Sequence, residues 1–399
     1  MRFFWLFLFP LLLAAGGCKK STSDKETVPE ESFDKLTDIT NRAQQYADSV
    51  FETLSLEEKI GQTFMPSINT SSTPYNLAYY QKLIDDYHVG GIVLAKGDVE
   101  SAKKIAEIGR QAKVPLFISI DAEWGLGMRL ADAQVFPMNG KIRKDAEESL
   151  LFDYGREVGR ECRTYGINMV LGPVVDVVES RRGVIGSRSF GGDVKTVSNM
   201  GVAYAKGLES IGVISVAKHF PGQGSSITDS HRGTAPVYRN ITALDSIDFL
   251  PFKMFIKSGL TGVMAGHIQL LAVNPDGLPA TVSPDILTTL LRDEMGFKGL
   301  VITDAFSMGG AHGYSAYQAL EAGADIVLCP LNMEKEIGKV IDKVNEGELD
   351  MTLIDDRCRR ILFIKALFGL WNPENNEKEV EDYYLEREKL IRDLQFAEE

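Results

Sequence analysis

Two stretches of this chain carry side chains that could do covalent chemistry. In GLVITDAFSM, Asp304 ends a short apolar run. In KHFPGQGSSITDSH, Lys218 and His219 are followed by Asp229 and His231. A short apolar run bounded by glycine reads as a strand, and a carboxylate at its end has left the pattern that would bury it. In an α/β barrel the last residue of a strand faces the catalytic mouth, so Asp304 is a candidate nucleophile. Histidine titrates near neutral pH and can both give and accept a proton. In an extended loop, residues two apart point to the same side. Asp229 could then orient His231 and stabilise its imidazolium. A carboxylate nucleophile and a proton donor that later serves as base are what a retaining cleavage of a glycosidic bond requires. Gly222, Gly224, Ser225 and Ser226 suggest a loop able to bring the pair in.

Such groups need a scaffold that gathers distant residues. Eight short apolar runs, at 61–68, 90–96, 115–121, 167–176, 214–220, 262–268, 299–306 and 324–330, read as strands. Amphipathic stretches between them, at 76–87, 99–111, 145–165, 194–211, 283–295 and 314–322, read as helices. Strand–helix alternation implies parallel pairing with right-handed crossovers. Eight units over about 300 residues match an α/β fold of the (β/α)8 TIM-barrel type. A doubly wound sheet fits less well, because no glycine-rich phosphate loop opens the first helix. Further helices are expected at 42–54, from Ser55 with a capping-box pattern, and at 334–346, 353–368 and 380–397.

In this arrangement polar residues recur at strand ends: Asp121, Asp176, Lys218 with His219, His267 and Asp304. A barrel would bring them to one rim, whereas a core would have to hide several charges at high cost. Asp176 reads equally as a turn or cap residue, and His267 equally as a satisfied core histidine. Arg129, Arg188, Lys218 and His219 are candidates for holding sugar hydroxyls, with Asp121 accepting from them. Ala305, Phe306 and Met308 would shape a partly apolar floor beside Asp304.

The chain has 399 residues, 44% hydrophobic content and a net charge of -13. That balance argues against nucleic acid as a partner, since phosphate binding needs a basic face. Residues 1–17, with Arg2 before a short apolar stretch and small residues before Cys18, read as a lipoprotein signal in which Cys18 is lipidated. Residues 18–40 read as a polar tether and 41–399 as one catalytic domain with extra C-terminal helices. The expected setting is the cell envelope. The other cysteines, Cys162, Cys329 and Cys358, have no metal-ligand spacing and read as buried thiols.

These segments resemble family 3 glycoside hydrolases, in particular their bacterial β-N-acetylglucosaminidase branch. The resemblance is carried by SLEEKIGQTFM, IDAEWGLGMRL, GINMVLGPVVDV with GSRSFGGD, KHFPGQGSSITDSH, the stretch from PATVSPDIL to GLVITDAFSM, and EAGADIVLCP. They span roughly residues 50–370, and the KHFPG-x-G-xxxx-DSH pattern is the specific one. The resemblance implies Asp304 as nucleophile and Asp229 with His231 as acid/base dyad. It implies Asp121, Arg129, Arg188, Lys218 and His219 as holders of the non-reducing sugar, and no cofactor or metal. It further implies a retaining exo-β-N-acetylhexosaminidase, expected to be monomeric, acting on N-acetylglucosamine-terminated glycans such as peptidoglycan or chitin fragments. A β-glucosidase or β-xylosidase, a phosphorylase and a non-catalytic glycan-binding lipoprotein are the alternatives. Two positions depart from the family pattern. Gln223 stands where many relatives have histidine, and Trp124 replaces a usual glycine and could offer a stacking surface.

Overall fold

The structure is a computed structural model that describes residues 30–71, 77–143, 146–179, 183–226, 228–230 and 232–370. The signal segment, Cys18, His231 and the helix expected at 380–397 lie outside the described residues. The first helix runs Glu30–Phe51. It starts well before the expected position 42, within the stretch read as tether.

Each of the eight apolar runs contains a strand. In chain order the strands are β1 (Phe64–Met65), β2 (Ser67–Asn69), β3 (Gly91–Lys96), β4 (Phe117–Ile120), β5 (Met169–Val170), β6 (Ile214–Phe220), β7 (Ala235–Val237), β8 (Gly262–Ala265), β9 (Ile268–Leu270), β10 (Leu300–Thr303) and β11 (Val327–Leu328). Seven form one curled parallel sheet in the order β10-β8-β6-β5-β4-β3-β2. β11 pairs in parallel with β1, and Thr303 N–H donates to Ile326 O at 2.9 Å on the other side. β7 and β9 form a short parallel pair that the sequence pattern did not suggest. Nor did it suggest the helix Phe249–Lys257. The expected 283–295 helix is a π-type helix over Asp285–Glu294.

Side-chain alternation divides the core into two layers. Val301, Ile118, Ile120 and Ala217 pack outward into the cluster shared with the surrounding helices. Phe117, Ile214, Val216, Leu300 and Ile302 belong to a second cluster with Met65, Met264 and Leu328. That cluster also takes in Ala43, Ala47 and Phe51 of the first helix and Ile361, Leu362 and Ile364 of the helix Met351–Leu367, which cap the N-terminal ends of the strands. Each such aliphatic side chain removed from water contributes about 1.5–3 kcal/mol. The period of two then decides the site. Counting on from Phe117 gives Asp121, from Ile214 and Val216 gives Lys218, and from Leu300 and Ile302 gives Asp304. The inner rows are apolar at the bottom and ionisable at the top.

Candidate active site

The floor of the site is a buried network of charges. Lys218 Nζ lies 2.7 Å from Asp121 Oδ1 and 2.7 Å from Glu123 Oε1. Arg188 donates twice to Glu123, through Nε at 2.8 Å and Nη2 at 2.7 Å. Arg129 Nη2 donates to the second oxygen of Asp121. Burial opposes ionisation of Asp121, but the Lys218 ammonium and the Arg129 guanidinium overcome it and hold the carboxyl well below its ordinary range. The same contest, settled by Lys218 and Arg188, brings Glu123 down to about 2. Burial works against the Lys218 charge, and the carboxylates of Asp121 and Glu123 reverse it and raise that pKa. All of these groups are therefore charged at neutral pH and fixed in place before a ligand arrives. The Nε of Arg129 is buried and has no hydrogen-bond partner among the described residues.

A second clamp shapes the segment after β6. The pairing of β6 with β8 slips between Lys218 and Phe220, so His219 is an inserted residue. Such a bulge re-aims a side chain. Asp176 holds it: Oδ2 accepts from His219 N–H at 3.2 Å and lies 2.8 Å from Nδ1, while Oδ1 accepts from Gln223 N–H at 2.7 Å. On the other ring edge, Arg188 Nη2 lies 3.4 Å from Nε2. Arginine only donates, so Nε2 accepts and the Nδ1–H donates to Asp176. Both readings offered for Asp176 meet here, since it caps a turn and orients a site histidine.

Asp304 follows β10 directly. Its N–H donates to Ala265 O at 2.7 Å and its Oδ1 accepts from Ala305 N–H at 2.8 Å, which fixes the side chain at the rim. Burial pushes the Cys329 thiol up to about 12, and the charges of Asp121 and Asp304 add to that rise. His267 is fully buried, with Nδ1 2.9 Å from Thr281 Oγ1 and Nε2 3.1 Å from Ala305 O. It is a core histidine that supports the backbone after Asp304. Phe306 packs edge-on against it, with ring centroids 5.8 Å apart, and is buried.

The structure therefore gathers Asp121, Arg129, Arg188, Lys218, His219 and Asp304 along the C-terminal ends of the strands. Asp121 accepts only from Arg129 and Lys218 among the expected cations, since Arg188 goes to Glu123 and His219 to Asp176. Glu123 is the residue missed. Its side chain is inaccessible, and it lies three positions past the end of β4, where alternation along the strand no longer assigns a side. The segment at Asp229 is not extended. Arg232 N–H donates to Asp229 O at 2.9 Å, closing a turn, so the alternation argument for pairing Asp229 with His231 does not hold there. Among the described residues, no group of His, Cys, Asp and Glu is arranged to hold a metal ion. No described helix is long and apolar enough to cross a membrane.

A profile described as "Glycosyl hydrolase family 3 N terminal domain" matches residues 55–364. A Beta-N-acetylglucosaminidase/beta-glucosidase of Cellulomonas fimi is 30% identical over 335 residues, covering 80% of this chain and 59% of that protein. The chain thus spans less than two thirds of that relative. Beta-hexosaminidase LpqI of Mycobacterium tuberculosis is 31% identical over 339 residues, 78% of this chain and 83% of that one. The structure of a glycoside hydrolase family 3 beta-N-acetylglucosaminidase from a Paenibacillus species superposes with a TM-score of 0.77 at 29% identity, covering 86% of this chain and 69% of that chain. Together with the rim of charges described above, these matches establish that the chain belongs to glycosyl hydrolase family 3.

Proposed function

We propose that the protein is a retaining exo-β-N-acetylhexosaminidase that removes terminal β-linked N-acetylglucosamine from glycans such as peptidoglycan fragments. The observation that carries this reading is the position of Asp304. It tops an inner row beside the preorganised Asp121–Lys218–Glu123–Arg188 network, and Ser230, flanked by Asp229 and His231, accepts a hydrogen bond from Gly310 in the segment after Asp304. The eight strands close into a (β/α)8 barrel in this reading, supported by the hydrogen bonds from β11 to both β1 and the β10 edge.

In the first step the Asp304 carboxylate attacks the anomeric carbon while His231, as imidazolium, protonates the departing glycosidic oxygen. In the second, neutral His231 takes a proton from water, which attacks the glycosyl ester and frees Asp304. Asp229 steadies the imidazolium. Asp121, Arg129, Arg188, Lys218 and His219 hold the hydroxyls of the terminal sugar. Turnover of 4-nitrophenyl β-N-acetylglucosaminide well above that of the β-glucoside is expected; equal or reversed preference would remove the hexosaminidase assignment. The Cellulomonas fimi relative, a Beta-N-acetylglucosaminidase/beta-glucosidase, favours glucoside cleavage as a second activity.

The same proposal places the protein in the cell envelope as a monomer, anchored through lipid on Cys18. Cys18→Ser should move it from the membrane fraction to the soluble one, and unchanged membrane association would rule out that anchor.

A further inference from the structure

Gln223 is 1% exposed, although it lies in a glycine- and serine-rich segment. A buried amide without partners is costly, so its partners report its role. Its backbone N–H is fixed by Asp176. Its side-chain Nε2 donates to Ser230 Oγ at 3.3 Å. Ser230 is 3% exposed, and its carbonyl accepts from Gly310 N–H at 3.1 Å. Ser230 is thus gripped through its side chain by the segment after β6 and through its backbone by the segment after β10. The backbone beside each grip is closely packed. A Cβ at Gly224 would come within 2.0 Å of Val177 O, and one at Gly310 within 2.5 Å of the His267 Cβ.

We propose that Gln223 is a positioning residue: with Gly310 it clips Ser230, and so sets the turn at Asp229 against the segment that follows Asp304. This rests on the acid/base assignment made above. It gives a role to the position where the chain departs from its family's usual histidine. An uncharged donor holds the clip without titrating.

Gln223→Leu keeps the volume and removes the donor, and Ser230→Ala removes the acceptor. For an unsubstituted phenyl β-N-acetylglucosaminide, whose leaving group needs protonation, each should lower kcat/KM about five- to ten-fold. For the 2,4-dinitrophenyl substrate, which leaves unprotonated, the change should stay within about two-fold. The double variant should fall no further than the weaker single variant, because one interaction is removed twice. A second readout needs no turnover. Arg232, whose side chain is 88% exposed, lies in the same turn, so tryptic cleavage after it, followed by mass spectrometry, should speed up by a similar factor in both variants. Equal losses on the two substrates, multiplying losses in the double variant, or an unchanged cleavage rate would overturn the clip. If the parent protein cleaves no hexosaminide, the proposed function fails, while the proteolysis comparison still decides the clip.

Discussion

The chain buries ionic groups at both ends of its strands, and the two groups are built differently. At the C-terminal ends, Asp121 and Glu123 face Lys218, Arg129 and Arg188, and the Asp121 and Arg129 side chains keep 20% and 35% of their surface exposed. At the N-terminal ends, Asp325 is inaccessible and receives Arg292 at 2.6 Å together with Arg360, while Arg357 lies 3.9 Å away. Asp325 also accepts from Val301 N–H at 2.8 Å, and Arg292 donates to the carbonyls of Phe297 and Gly299. Burial and the neighbouring arginines, against the pull of Asp325, bring the Arg292 pKa down to about 10. The lower group ties the helices of residues 285–294 and 351–367 to β10 and is sealed. The upper group is anchored from beneath and left open above. The same ion-pair chemistry thus staples the fold at one end and presents a ligand surface at the other, and solvent access separates the two roles.

Substitutions can break that contrast. Asp304→Ala should reduce kcat by about 10⁴-fold or more with the unfolding midpoint unchanged, because the group reacts rather than supports. A loss below about ten-fold would remove Asp304 as nucleophile. His231→Ala should lower kcat/KM about 10²–10⁴-fold for poor leaving groups and much less for good ones. A uniform loss would make it a support instead. At the sealed end, Asp325→Ala leaves three arginines without their carboxylate and should cost about 3–5 kcal/mol in denaturant unfolding, with KM unchanged for the protein that remains folded. A changed KM would show that the two ends are coupled.

The smallest expected effect has the opposite sign. Lys365 is fully buried, donates to Gln62 Oε1 at 2.7 Å, and burial brings its pKa down to about 7. A folded pKa below the ordinary 10.5 means that the unfolded chain binds the extra proton between those values. Stability from this group is therefore present above pH 10.5 and lost as pH falls to about 7. Lys365→Met should gain on the order of 2 kcal/mol at pH 7, the gain shrinking towards pH 10. A destabilised variant at neutral pH would mean that the Gln62 contact outweighs the burial.

Much of this was legible in the chain. Each of the eight apolar runs holds a strand, and 214–220 matches β6 to the residue, because a short, largely apolar run between Gly212 and Pro221 has few other uses. The rim positions of Asp121, Lys218 and Asp304 followed from the same runs. What was missed needed three dimensions. Glu123 lies beyond its strand, and only the fold brings Arg188, 65 positions away, onto it. The turn at Asp229 is closed by a backbone hydrogen bond that no residue type announced. β7 and β9 are too short to show a pattern.

The chain itself determined the alternation of strand and helix, the period of two that carries ionisable residues onto the inner rows, and the residue types able to act as nucleophile and acid/base. These are local properties, set by sterics and by the hydrophobic pattern along a few neighbouring residues. Only the tertiary structure decided which cation meets which carboxylate, that Asp176 holds His219 and Gln223 together, and that Ser230 is gripped from two segments. Most of those choices depend on register and on approach between residues far apart in the chain, as for Lys218 and Asp121, which no local pattern encodes.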